Sequence, residues 1–82
     1  MNKTEYTKCV KLMDEAINKA KSSKEAFNNA YNMDLSDTQR KIEELKGQNY
    51  AGYAEGINKV LAVLGFEHEQ MKKLQELLYS IV

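Results

Sequence analysis

Proline and tryptophan are absent from the 82 residues, cysteine and histidine occur once each, and the four glycines all fall between residues 47 and 65. Each shortage excludes something. With no proline anywhere and no glycine before residue 47, nothing interrupts a helix over the first 32 positions. The single cysteine, Cys9, rules out an intrachain disulfide and fits a reducing compartment. The single histidine, His68, rules out a histidine pair at metal-binding spacing. Twelve basic and twelve acidic residues cancel, which removes the sequence-independent attraction to phosphate on which most nucleic-acid binders rely. The longest apolar run, Val60 to Leu64, is far short of the roughly 20 residues that a membrane span needs. Met1-Asn2-Lys3-Thr4-Glu5 lacks the apolar core of a signal peptide. The location expected from these absences is the cytoplasm, of a bacterium or of a virus-infected cell, with no membrane partner.

Val, Ile and Thr are too scattered for alternating strands, so the chain reads as all-α. The expected architecture is one domain, residues 1–82, in which a long helix over 4–32 packs antiparallel against a second over 37–64. A short third helix covers 67–80. The second helix is expected to be bent or broken near its glycines, with Gly47 as the alternative stopping point.

Along the first helix, every seventh residue from Tyr6 gives Met13, Ala20 and Phe27, and every seventh from Val10 gives Ile17, Lys24 and Tyr31. The two rows form one seam on a rod about 42 Å long, and that much apolar surface needs cover from the rest of the chain or from a second copy. Lys24 is the one polar residue in the seam, where it either sets register or lays its methylenes along it. Beside the seam runs a row of small residues, Cys9, Ala16, Ser23 and Ala30, an edge suited to close approach by another helix. Gly52 and Gly56, four apart beside Asn49 and Val63, would supply the matching surface on the second helix. Thr4 is the expected N-cap of the first helix, Asn32 and Asp34 favour a turn after it, and Ser36-Asp37-Thr38-Gln39 has the form of a capping box. Gly65-Phe66 is the clearest stop. Residues 1–33 carry six lysines against four acids and residues 34–82 six bases against eight acids, a mild asymmetry that suits elements or copies packing together.

Convergent chemistry is hard to find. Cys9 sits among small residues with no base beside it, and His68, flanked by Glu67 and Glu69, reads as a solvated residue in the first turn of the third helix. Asp14-Glu15 and Glu43-Glu44 are adjacent pairs that project about 100° apart on a helix and so cannot share a substrate. No catalysis and no cofactor are expected. Tyr50 and Tyr53, interleaved with glycines, offer either rim positions of the core or a stacking surface for a nucleotide. The succession Tyr50, Gly52-Tyr53, Gly56-Ile57 and then an apolar run resembles short helical proteins of phages and mobile elements over some fifteen residues, which implies an accessory role there.

The expected function is a non-catalytic helical module that self-associates, as a homodimer or higher, and binds another protein. Its self-association surface would comprise Tyr6, Val10, Met13, Ile17, Phe27 and Tyr31, with Gly52 and Gly56 at the close approach. Two alternatives stand beside it. One is a nucleic-acid-binding regulator using Lys8, Lys11, Lys19 and Lys21, although Asp14 and Glu15 lie among these lysines. The other is a small-ligand site between copies, near Tyr50 and Tyr53.

Overall fold

The computed structural model describes residues 1–32 and 34–81, and these form three helices: α1 (Lys3–Asn32), α2 (Asp37–Val63) and α3 (Met71–Ile81). The expected all-α bundle is therefore the observed one. α1 and α2 run antiparallel, as three contacts at successive levels show. Glu15 meets Tyr53, Ser23 meets Gly47, and the Ala30 carbonyl meets Arg40. The molecule measures 50 × 17 × 16 Å, with a radius of gyration of 14.5 Å against about 12 Å expected for a compact domain of this length.

α1 starts two residues earlier than a Thr4 cap would allow, because Asn2 is the better cap. Its side-chain oxygen accepts from the Glu5 amide at 2.8 Å while its amide nitrogen donates to the Glu5 carboxylate at 2.9 Å, a reciprocal pair that satisfies an orphan donor. The far end of α1 has no cation of its own in the last turn. Arg40 reaches across from α2 and donates to the Ala30 carbonyl at 2.8 Å, placing positive charge at the negative end of the dipole. The turn expected at 31–34 includes Met33, which lies outside the described residues.

The buried face of α1 is rotated from the predicted seam toward the row of small residues. Cys9, Met13, Ala16, Ile17, Ala20, Ser23, Ala26 and Ala30 are buried, whereas Tyr6, Lys24 and Tyr31 are exposed. Small side chains set this choice because they admit α2 closely: the buried Ser23 hydroxyl donates to the Gly47 carbonyl at 2.6 Å. Lys24 therefore occupies no core position. Only one of the second helix's glycines meets the small-residue edge. A methyl group at Gly47 would lie 2.8 Å from the Phe27 ring, whereas one at Gly52 or Gly56 would meet nothing within 4 Å. The expectation that Gly52 and Gly56 pack on the first helix is thereby corrected; α2 rotates them outward and buries Gly47, Ala54 and Leu61 instead.

α2 is continuous through all three glycines, so no break occurs at Gly47. Its start is the predicted capping box: the Ser36 hydroxyl accepts from the Gln39 amide and the Gln39 side chain accepts from the Ser36 amide. Its end is the predicted glycine stop. Gly65 takes φ +71°, its amide donates to the Ala62 carbonyl, and the Phe66 amide reaches back to Leu61. Phe66 and Leu61 are both buried, which completes the apolar contact of this motif.

α3 begins at Met71, not Glu67. The Gln70 amide donates to His68 Nδ1 at 3.1 Å and the Met71 amide to the His68 carbonyl, so residues 68–71 form a turn that precedes the helix. α3 then runs parallel to α1, from the Tyr6–Phe66 contact toward Lys24 and Phe27, where Ile81 lies. Met71 and Leu74 join Met13, Ile17 and Leu61 in the core.

Candidate functional site

The eight residues expected to form a self-association surface separate into three groups. Met13 and Ile17 are buried by the chain's own α2 and α3, so the middle of the α1 seam is covered within one molecule. Val10 and Phe27 are half-buried against the same fold. Tyr6, Tyr31, Gly52 and Gly56 are exposed. Tyr6 packs its ring on Phe66 at 5.4 Å, and Tyr31 stacks on Phe27 at 6.5 Å with the planes 8° apart.

Several exposed apolar residues share the outward face of α2. Ile42, Leu45, Gly52, Tyr53, Gly56, Val60 and Val63 all face outward, with Val63 88% exposed. The positions follow from helical periodicity. Leu45, Gly52 and Lys59 are seven apart, as are Ile42, Asn49, Gly56 and Val63, while the buried Gly47, Ala54 and Leu61 form another seven-spaced row on the opposite side. Between the two glycines and Leu12 of α1 lies a hollow of about 300 Å³, walled by Tyr53, Ile57 and Val60. Gly52 and Gly56 contribute only backbone to its lining. Sequence reading found the glycines, Asn49 and Val63, but missed Leu45 and Leu12; the seven-residue spacing from Leu45 to Gly52 was the signal for the first.

Tyr53 forms the polar edge of this stripe. Its hydroxyl donates to the Glu15 carboxylate at 2.6 Å, and that hydrogen bond, followed by the carboxylate's charge, holds the phenol above its usual pKa of 10.0. The Lys19 ammonium lies 5.4 Å from the centres of both the Tyr50 and Tyr53 rings, a cation–π arrangement that ties α1 to α2. Tyr50 is half-buried and Tyr53 exposed, so the pair forms a rim and not a flat two-sided stack.

Lys8 and Lys11 share a shallow hollow with Lys3, Thr4 and Thr7 at the start of α1. Lys19 is engaged at the tyrosines, and Lys21, two residues further on, projects about 200° around the helix from it. The four lysines do not make one patch. Cys9 is a buried free thiol, and among the described residues no three His, Cys, Asp or Glu side chains converge on a metal position. His68 is a half-buried turn residue, stacked on Phe66 at 6.0 Å, and not the solvated helix residue expected. A cleft of about 450 Å³ between α2 and α3 is lined by Glu55, Asn58, Gln75, Leu78 and Tyr79, and holds neither a nucleophile with a base nor a cluster of cations. Among the described residues, no helix is long and apolar enough to cross a membrane.

No protein-family model matches the chain, and neither a curated protein nor a solved structure does.

Proposed function

We propose that the chain is a non-catalytic helical interaction module that self-associates, and that its working surface is the outward face of α2 in place of the α1 seam. One observation carries this reading. Gly52 and Gly56 sit in open space on an exposed face between Asn49, Tyr53 and Lys59, with the exposed Leu45, Val60 and Val63 beyond them, on a helix whose other side already supplies the core. Glycine in a helix interior costs up to about 1 kcal/mol relative to alanine. Two of them, four residues apart on the solvent side, make sense where another backbone comes close.

The elongated 50 × 17 × 16 Å shape leaves 5785 Å² exposed, and on the outward side of α2 Ile42, Leu45, Val60 and Val63 are each at least 48% exposed. The setting that fits a buried free thiol is a reducing compartment such as the cytoplasm, and an accessory role in a phage or mobile element is the biological context we favour, with a further protein as eventual target.

Light scattering at low micromolar concentration tests the reading: a dimer mass is expected, and a strictly monomeric mass overturns it. Val63→Glu, which alters an exposed side chain outside the core, is expected to return the mass to that of one chain. A dimer that survives this change would overturn the assignment to α2. The grouping of Lys3, Lys8 and Lys11 favours a weaker second reading, nucleic-acid binding at the start of α1. A gel shift at low salt with mixed DNA would reveal it first, because such binding strengthens as counterions are diluted.

A further inference from the structure

The turn that leads into α3 is held by a titratable side chain. His68 Nδ1 accepts from the Gln70 amide at 3.1 Å, while the His68 carbonyl accepts from the Met71 amide at 3.0 Å. A ring nitrogen accepts a hydrogen bond only when it carries no proton, so this contact requires a neutral imidazole with its proton on Nε2. The ring is half-buried and stacked on Phe66, with Tyr6 of α1 at 6.5 Å. The starts of α1 and α2 are held differently, by the Asn2 and Ser36 side chains, which gain no proton near neutral pH. Only the entry to α3 depends on a group that does.

We propose that His68 is a proton-operated latch on α3: neutral, it closes the turn over residues 68–71, and as imidazolium it releases the Gln70 amide and loosens the first turn of the helix. The inference goes beyond the self-association reading and does not depend on it. With a proton on Nδ1, two donors would point at each other, so either the ring turns away or residues 69–70 move. Both movements open the bond. Histidine is the side chain whose charge changes between about pH 5 and pH 8, and this chain has a single one.

The charges around the ring act in both directions, and none of them restores the acceptor. Glu67 and Glu69 flank His68 in the turn, Lys72 follows on α3, and α1 contributes the Tyr6 phenol. The carboxylates and the aromatic faces attract an imidazolium, whereas the lysine repels it. Among the described residues, no carboxylate pairs with His68, so no salt bridge takes over from the broken contact. The effect falls on the end of α3 that anchors it in the core. Met71 and Leu74 are buried, and their amides donate to the carbonyls of His68 and Gln70, so both acceptors shift when residues 68–70 do.

Nuclear magnetic resonance on the full chain, titrated from about pH 8 to about pH 5, tests the latch. The expected result is that the Gln70 amide proton moves upfield along the same curve as the His68 ring. Exchange protection of the Met71 and Leu74 amides, corrected for the intrinsic pH dependence of exchange, is expected to fall about fivefold, the loss of one net hydrogen bond. His68→Asn, whose side-chain oxygen can accept from the amide two residues on at any pH, is expected to keep its protection across the range. His68→Ala has no acceptor and is expected to show the low protection already at neutral pH. A wild-type chain whose ring titrates while the Gln70 amide and the protection of Met71 and Leu74 stay fixed overturns the proposal, whether or not either variant folds. A His68→Asn chain that responds to pH as strongly as the wild type overturns it as well, because another group would then carry the effect.

Discussion

α2 carries glycine and aliphatic residues at seven-residue spacing on two opposite faces, yet the two faces stand in contrary physical states. On the inner face, Gly47 is occupied: the Phe27 ring fills the space a side chain would take, and the Ser23 hydroxyl donates to its carbonyl. On the outer face, Gly52 and Gly56 have open space above them. The inner face shows what this helix does when its small residues are met, namely close approach and burial of Ala54 and Leu61. The outer face has the same ingredients without the partner. That contrast locates the unfinished surface more directly than any count of exposed apolar residues, since scattered exposure is normal on soluble proteins.

The strongest way to break the comparison is to damage the inner assembly. Ile17 lies in the core cluster at the α1 side. Ile17→Lys strips that apolar contact and asks an ammonium to leave water, a cost of about 3 kcal/mol or more. A domain of this length has only roughly 4–12 kcal/mol to lose. Urea denaturation is expected to show a large drop in midpoint, and the fold to fail as a monomer, not simply to dissociate. Gly47→Val follows in size. Its side chain must displace the Phe27 ring, and overpacking of this kind costs about 1–3 kcal/mol; unchanged stability would mean that the ring yields freely and that Gly47 is not held by close approach.

Much of this architecture could be read from residue types alone. The Ser36 box and the Gly65 stop are local chemistry, complete within four or five residues, and the structure realises both. The rotation of the α1 face was less accessible. Two adjacent stripes, one of large apolar residues and one of small, both had helical period, and the winner was decided by how closely α2 could approach, a property of the pair of helices. The same holds for Gly47 against Gly52 and Gly56: spacing puts them on opposite faces of α2, but which face is the inner one is decided only when Phe27 is placed. At the start of α3, His68 captures the Gln70 amide, a side-chain competition that periodicity does not register.

A sharper test of the two faces gives opposite signs from the same kind of substitution. Gly52→Ala and Gly56→Ala add a methyl group where nothing lies within 4 Å, at helical positions with negative φ. Each is expected to stabilise the isolated chain by about 0.5–1 kcal/mol through helix propensity, read as a raised urea midpoint at concentrations low enough to keep the protein monomeric. Each is expected also to weaken self-association, read as a higher dissociation constant in sedimentation equilibrium. Stabilisation without loss of association would show that the outer glycines are not at a backbone crossing.

The smallest expected effect concerns the edge between the faces, where Tyr53 donates to Glu15. That hydrogen bond favours the protonated phenol, so the folded-state pKa lies above the ordinary value of 10.0 that the unfolded chain recovers. Between those two values the unfolded chain binds fewer protons than the folded one, and stability falls as pH rises. The contribution is therefore complete below pH 10 and is lost as pH rises through the folded pKa. Tyr53→Phe removes it, so the stability difference between wild type and Tyr53→Phe should be small, constant from neutral pH to about pH 9, and vanishing in stronger alkali. Ultraviolet titration of the phenolate gives the independent check: Glu15→Gln should bring the Tyr53 transition back toward the ordinary range, because the charge that opposes phenolate formation has gone.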